Sequence, residues 1–412
     1  MIHIFTITAR NYLSLALTLG NSVARHHPEA RFTICVSDGL DQLDGLLPAT
    51  VHSGHRLLSA HELMTREQIE DLAFKYNITE YCTAIKPILF KTLFADPEVD
   101  LVYYMDPDTH LYQRLDPITA DSPDKTLYLA PHLIDCRLAD DHPYPEYHHL
   151  WEGIFNLGFC AIRRTAATAR LLDWWDARLR EYCYADHVDG LHTDQKWMDY
   201  APVFFHDGLA VVRHYGVNTA HWNLSERPLS MRDGTYYAGP DPLLFFHYSG
   251  CDFRSESLTK HTPVERQRSY TNETLLRLTA EYRAAVKANA YEQFLAIPYR
   301  FDTFTDGTPI TQLHRRLYRA KSRSETFVSP FSPQGSFYRA LAQAELLDYS
   351  PAAKANYSKA TVRDVSVKMR TVERAMRWLL KLIGVRRYAQ FVKLASWLGR
   401  FEHHSFLLDK QG

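Results

Sequence analysis

The apolar run LVYYM at residues 101–105 stops abruptly at Asp106-Pro107-Asp108, the only D-x-D in the chain. Two carboxylates at i and i+2, placed where a buried strand ends, can hold one hard divalent cation at the ligand edge of a sheet. Pro107 stiffens the turn between them. The competing reading is a solvated turn of the Asx type. A second apolar run, LLFFH at 243–247, ends in His247 and is followed by Tyr248-Ser249-Gly250. A lone histidine at a strand end is ordinarily a hydrogen-bonded rim residue. Beside Asp106 and Asp108 it completes an O,O,N ligand set with open positions, suited to Mn²⁺ or Mg²⁺ bridging two phosphates.

Two further polar groups sit at strand edges. Asn156-Leu157-Gly158 precedes the strand-like GFCAIR, and Asp194-Gln195 opens the short helix TDQKWMD. Their amides and carboxylate offer directional hydrogen bonds for sugar hydroxyls. The bland alternatives are a turn for the first and a helix N-terminus for the second. Residues 131–151 hold four His, three Pro and several acids. Their spacing supports no metal cluster, and the segment reads as a mobile acceptor or donor loop. HELMT at 61–65 lacks the second histidine of a zinc protease, and neither G-x-G-x-x-G nor G-x-x-x-x-G-K-[ST] occurs.

The elements that would position these residues alternate strand and helix. Strands are expected at 2–8, 32–37, 101–105, 126–130, 158–163, 202–205, 209–213 and 243–247. Helices are expected at 11–27, over most of 58–94, at 165–182 and at 193–200. Continuous apolar strands separated by helices predict an α/β sheet covered on both faces. Ligands then bind beyond the carboxyl ends of its strands. Past residue 255 the pattern turns helical: one or two helices over 263–295, a turn-rich stretch at 298–310, and a short helix at 311–321. The four Ser, two Pro and one Gly of residues 322–335 read as a linker. The expected organisation is a catalytic domain at 1–255, a helical accessory segment at 256–322 and a basic helical region at 323–412.

Taken in order, these segments resemble the GT-A glycosyltransferases that use nucleotide sugars, nearest to the family 8 group of glycogenin and the lipopolysaccharide sugar transferases. The resemblance covers about residues 1–253. It rests on TITARNY after the first strand, Lys86 ahead of the D-x-D, YYMDPDTHLY, NLGFCAI, TDQKWMD and FFHYSG. It implies a Rossmann-like, mixed and mostly parallel sheet with a C-terminal helical extension. Thr6, Thr8 and Ala9 would line the nucleotide pocket, Asp38 would meet base or ribose, and Lys86 would face the donor's phosphates or sugar. Asp106 and Asp108 would bind Mn²⁺ or Mg²⁺ with His247 as third ligand, and Asp106 would also lie near the ribose. Asn156, Asp194 and Gln195 would hold the donor sugar beside the reacting carbon. Two departures stand out. The G-x-x-K-P-W segment that usually follows the late histidine is replaced by HYSGCDFRSES, leaving Arg254 or Arg227 to meet the diphosphate. Pro107 replaces the small residue common between the aspartates.

The implied reaction moves a sugar from a nucleotide diphosphate donor to a glycan or lipid-linked acceptor, with retention and inversion both open. Two rival functions compete with it. A nucleotidyltransferase would need a Gly-rich basic N-terminal loop, which TITARNYLSLAL lacks. A non-catalytic glycan- or partner-binding protein on the same fold would not need Asp106, Asp108 and His247.

The 412 residues, 46% hydrophobic and 23% charged, are too many for one small core and exclude wholesale disorder. A net charge of -1 supplies no field for nucleic acid. MIHIFTIT has the character of a strand rather than a signal peptide, and the six cysteines form no C-x-x-C pair. The expected location is therefore the cytoplasm, with the cysteines reduced. Residues 363–400 carry ten Lys or Arg against two acids, interleaved with Trp378, Leu382 and Trp397. That is the composition of a helix lying on an anionic membrane surface, here the inner face. The alternative is a helical pair packed on protein.

Overall fold

The computed structural model describes residues 1–43, 45–47, 55–136, 144–255, 257–349 and 365–409. The chain forms two compact units, one of residues 1–65 and 78–299, the other of residues 66–77 and 300–412.

The first unit is built on seven strands. They include β1 (Ile2–Thr8), β2 (Arg31–Val36), β3 (His55–Ser59), β4 (Leu101–Met105), β6 (Leu127–Pro131) and β7 (Phe155–Arg163), with β5 (Thr109–Leu111) in a separate small sheet. Strand Leu209–Val211 lies at one edge, and the order from there is β6, β7, β4, β1, β2, β3. All neighbours are parallel except β7, which runs antiparallel to both β4 and β6. The α/β class is as expected: a mostly parallel central sheet with helices on both faces. Alternation along the strands sorts the two faces. Ile4, Tyr103 and Phe159 share a core with Leu13, Ala16 and Leu17 of helix Leu13–His26. Phe5 and Tyr104 face the other way. There Phe90 of helix Lys86–Leu93 meets Phe5 edge-on at 4.8 Å, and Trp175 of helix Thr168–Tyr182 lies 6.3 Å from Phe90. Each such fully buried large apolar side chain contributes about 1.5–3 kcal/mol relative to exposure. Cys35, Cys160, Cys183 and Cys251 are buried, and all six cysteines are free thiols.

Several expectations need correction. Residues 202–205 are not a strand. Ala201–Phe204 is a short helix with Pro202 in its first turn, and Val203 and Phe204 are exposed, so the run has no second face to bury. Strand His55–Ser59 precedes the helical stretch and extends the sheet beyond β2. β7 begins at Phe155, so Asn156-Leu157-Gly158 lies inside a strand rather than in a turn before it.

In the second unit, helices Arg66–Lys75 and Gln312–Ser322 meet through a buried arginine. Arg315 Nη1 donates to the carbonyls of Ala73 and Tyr76, both at 2.7 Å, satisfying groups that a helix end leaves open. The 322–335 segment is no free linker. Phe331 is buried on Phe74 at 4.9 Å, and Phe327 packs on Tyr318 and Phe337. Its aromatic residues anchor a stretch whose Ser and Pro content reads as loop. Helix Val365–Leu398 is interrupted at Gly384, whose φ of 74° and ψ of 162° are not helical. No helix among the described residues is long and apolar enough to cross a membrane.

Candidate active site

The carboxyl ends of β1, β2 and β4 lie along one edge of the sheet, and the polar residues expected to carry chemistry gather there. Asp106 follows β4 directly. Its amide donates to Gly158 O at 2.8 Å, which continues the β4–β7 ladder past Met105–Phe159. Its carbonyl accepts from Thr109 N at 3.0 Å, closing a turn with Pro107 in its second position. That turn reverses the chain into β5. Strand Phe245–His247 pairs antiparallel with β5 in a register that sets His247 opposite Thr109. Tyr248 N donates to Asp108 O at 2.8 Å and locks the alignment. A one-residue slip would turn His247 away from the aspartates.

Three ligand atoms therefore converge. His247 Nε2 stands 3.2 Å from Asp108 Oδ1 and 3.7 Å from Asp106 Oδ2. Asp106, Asp108 and His247 offer one ligand atom each, all within 4.8 Å of one another. The other ring nitrogen, Nδ1, lies 3.1 Å from Asn218 Oδ1 and so carries the proton, leaving Nε2 with a lone pair. Asn218 itself sits in the left-handed region at φ 55°, where asparagine is among the tolerated residues. Gly158 is the third requirement. A Cβ there would stand 2.3 Å from His247 Cε1 and 2.8 Å from Asp106 Oδ2. Any side chain at this position would occupy the space between the ligands.

Burial and neighbouring charge act against each other inside the cluster. Burial pushes the Asp106 carboxyl above its ordinary range. Lys86 and His247 oppose that rise, and the neighbouring Asp108 adds to it. For Asp108, burial is outweighed by His247, which holds the carboxyl low. Burial disfavours the His247 imidazolium, yet Asp108 and Asp106 more than compensate and raise its pKa. Two carboxylates and one imidazole are a donor set that a hard or borderline divalent cation fits.

Beneath this cluster lies a buried floor. Lys86 Nζ donates to Asp194 Oδ2 at 2.5 Å and to Leu157 O at 2.8 Å, with side-chain exposures of 1% and 2% for the ion pair. Its ammonium also stands 3.9 Å from the centre of the Tyr104 ring, and Tyr104 Oη donates to Asp106 Oδ1. Burial alone would lower the Lys86 pKa; Asp194 and Asp106 raise it. Gln195 Oε1 accepts from Leu157 N at 2.9 Å, while its Nε2 donates to Glu152 O at 2.8 Å. Asn156 Oδ1 accepts from Asn218 Nδ2 at 3.0 Å and from Gly158 N at 3.1 Å. Asn156, Asp194 and Gln195 thus come together around residues 156–158, joined through Lys86 and Tyr104 to the D-x-D.

The remaining expected residues are placed differently. Thr6 and Thr8 are buried at the end of β1, with Ala9 just beyond. Both oxygens of Asp38 are engaged by Arg10: Oδ1 accepts from its backbone amide at 2.9 Å and Oδ2 from Nε at 3.1 Å. Arg254 is exposed. Arg227 is enclosed, paired with Glu226 at 3.0 Å and donating to Val217 O at 2.7 Å. Tyr104, Asn218 and Trp222, whose ring lies 5.2 Å from His247, belong to the site but carry no spacing signal in the sequence. The folded chain brings them there through contacts with Asp106 and His247.

No protein-family model matches the chain. The uncharacterized protein YfnF of Bacillus subtilis (strain 168) is 29% identical over 207 residues, 50% of this chain and 64% of YfnF. The chain thus spans less than two thirds of that relative. The uncharacterized protein YfnD of the same organism is 27% identical over 254 residues, 60% of this chain and 77% of YfnD. Among solved structures, the galactosyltransferase LgtC in complex with donor and acceptor sugar analogues aligns at 16% identity and a TM-score of 0.44, covering 70% of this chain and 96% of that one. Mouse xyloside xylosyltransferase 1 aligns at 12% identity and a TM-score of 0.39, covering 60% and 97%.

Proposed function

We propose that this chain is a metal-dependent glycosyltransferase, moving a sugar from a nucleotide diphosphate donor to a glycan or lipid-linked glycan acceptor. The observation that carries the reading is the convergence of Asp106, Asp108 and His247 at the carboxyl edge of a mostly parallel sheet, directly above the Lys86–Asp194 pair. Asp106, Asp108 and His247 would hold Mn²⁺ or Mg²⁺. Such a cation, when bound, neutralises charge on a leaving diphosphate without a proton donor. The chain's own residues supply the rest. Asn218 keeps Nε2 of His247 unprotonated for its ligand role. Gly158 keeps the space between the ligands open. Lys86 adds a fixed positive charge in a site largely shielded from water, where it acts more strongly than in solution. Asn156, Asp194 and Gln195 fix the polar backbone of residues 156–158 as the surface on which the donor sugar rests. Thr6, Thr8 and Ala9 line the nucleotide side, and Asp38 shapes that side by holding Arg10.

The basic tail belongs to the same proposal. Helix Val365–Leu398 exposes Trp378 at 64%, Leu382 at 63% and Trp397 at 54%. With ten basic against two acidic residues over 363–400, an anionic membrane on the cytoplasmic side would cover them and bring the enzyme to a lipid-borne acceptor.

The test is a panel of nucleotide diphosphate sugars with Mn²⁺ or Mg²⁺, scored by thermal stabilisation and by release of nucleotide diphosphate. One donor should stabilise the protein only with the cation and be turned over. Asp108→Ala should lower turnover about a hundredfold, roughly 3 kcal/mol of transition-state stabilisation. Turnover indifferent to both EDTA and Asp108→Ala would reduce the D-x-D to a turn.

A further inference from the structure

A second cluster lies outside the O,O,N site. His132 follows the end of β6, and His149 and Glu152 stand at i and i+3 on helix Tyr147–Glu152. Their ligand atoms also lie within 4.8 Å of one another. In sequence, 17 and 20 residues separate His132 from the other two, so spacing alone does not join them. The fold does so through Ile154, whose carbonyl accepts from His132 N at 2.9 Å and faces His132 Nδ1 at 3.3 Å.

We propose that His132, His149 and Glu152 form a second metal site, selective for a borderline cation of the Zn²⁺ type. The strongest observation is His149. Its side chain is 10% exposed, and among the described residues neither ring nitrogen finds a hydrogen-bond partner. Its Nδ1 stands 3.4 Å from Glu152 Oε2, misaligned for a hydrogen bond, yet close to the separation of about 3.4 Å between neighbouring ligand atoms on a tetrahedral zinc. Buried imidazole nitrogens without partners are costly, and a cation satisfies a lone pair that the protein leaves empty. The His132 ring stacks on His149, centres 4.4 Å apart.

The surrounding groups are those that metal-binding side chains use. His132 directs Nδ1 at a backbone carbonyl, which fixes the proton there and turns the lone pair of Nε2 outward. Tyr144 Oη donates to Glu152 Oε1, the outer contact that orients a ligating carboxylate. Two imidazoles and one carboxylate favour zinc over magnesium, and leave a fourth position open. The site borders the first one. His132 Nε2 lies 3.3 Å from Asn156 Nδ2, so a bound ion and the Asn156 amide compete for the same lone pair.

The two sites can be separated by titrating purified full-length protein with ZnCl₂, using calorimetry for stoichiometry and Co²⁺ for its visible absorption. In an Asp108→Asn background, which disables the first site, one Zn²⁺ should still bind per chain, and Co²⁺ should give the intense bands of low-coordinate cobalt. Adding His149→Gln or Glu152→Gln should weaken that ion at least tenfold, with far-ultraviolet dichroism unchanged. Asp108→Asn protein that binds no Zn²⁺ overturns the proposal. So does equal binding after His149→Gln and after Glu152→Gln. None of these readouts depends on sugar transfer.

Discussion

Lys86→Met keeps the length of the side chain and deletes its ammonium. In the native protein that ammonium faces Asp194 at 2.5 Å and the Leu157 carbonyl at 2.8 Å, with the pair 1% and 2% exposed. The substitution leaves the Asp194 carboxylate buried with Thr193 Oγ1, 3.2 Å from its other oxygen. Breaking a buried pair from one side costs about 3–5 kcal/mol, and the orphaned carbonyl adds about 1 kcal/mol. With a urea slope of roughly 3 kcal/mol per molar, a loss of about 4 kcal/mol moves the unfolding midpoint down by about 1.3 M. Asp194→Asn should cost about half as much, because Lys86 retains the Leu157 carbonyl and the Tyr104 ring at 3.9 Å. Lys86→Met with Asp194→Leu removes both charges and should recover stability relative to Lys86→Met, giving a coupling energy of about 2 kcal/mol or more. Trp175, buried 6.0 Å from the ammonium, reports the transition by fluorescence. A Lys86→Met midpoint within about 0.3 M of wild type would refute the reasoning, as would strict additivity in the double variant.

Three further outcomes are expected. Gly158→Ala places a methyl between His247 and Asp106, so Mn²⁺ should no longer raise the melting temperature, and stability should fall by about 1–3 kcal/mol; unchanged Mn²⁺ stabilisation would contradict the site geometry. Burial, with help from Arg31 and Arg56, lowers the His3 pKa from 6.5 to about 4. The unfolded chain then binds more protons between those values, so stability present above pH 6.5 is lost as pH falls toward 4, by about 3 kcal/mol for this residue. His3→Gln should flatten that slope in urea titrations at several pH values. For the tail, truncation is a poor probe because Arg316 and Arg319 pair with Glu402 at 3.5 and 3.0 Å. Exchanging Trp378, Leu382 and Trp397 for Ser should instead abolish sedimentation with anionic vesicles at low salt and leave the melting temperature within a few degrees; wild-type protein that ignores such vesicles would remove the membrane reading.

Local pattern was enough to read the α/β class and most of the sheet. Residues 101–105 are a continuous apolar run and residues 2–8 are rich in β-branched and aromatic residues, and burial of both faces leaves them little alternative. The D-x-D and the late His247 were also legible, because each ends such a run. The short segments were less legible. Residues 202–205 look like a strand by composition, but Pro202 starts a short helix there and Val203 and Phe204 stay exposed. Residues 322–335 look like a linker because Ser and Pro outnumber the two phenylalanines that hold them. Asn218, Tyr104, and the meeting of His132 with His149 and Glu152 had no counterpart in sequence spacing. Tyr104 is placed by the pairing of β4 with β7, Asn218 by the pairing of strand Thr219–Ala220 with Phe245–His247, and His132 by the bond from its amide to the Ile154 carbonyl. Residue type and strand ends are local properties, read along the chain. Convergence of side chains from distant strands depends on register, which is settled only when the sheet closes around its core.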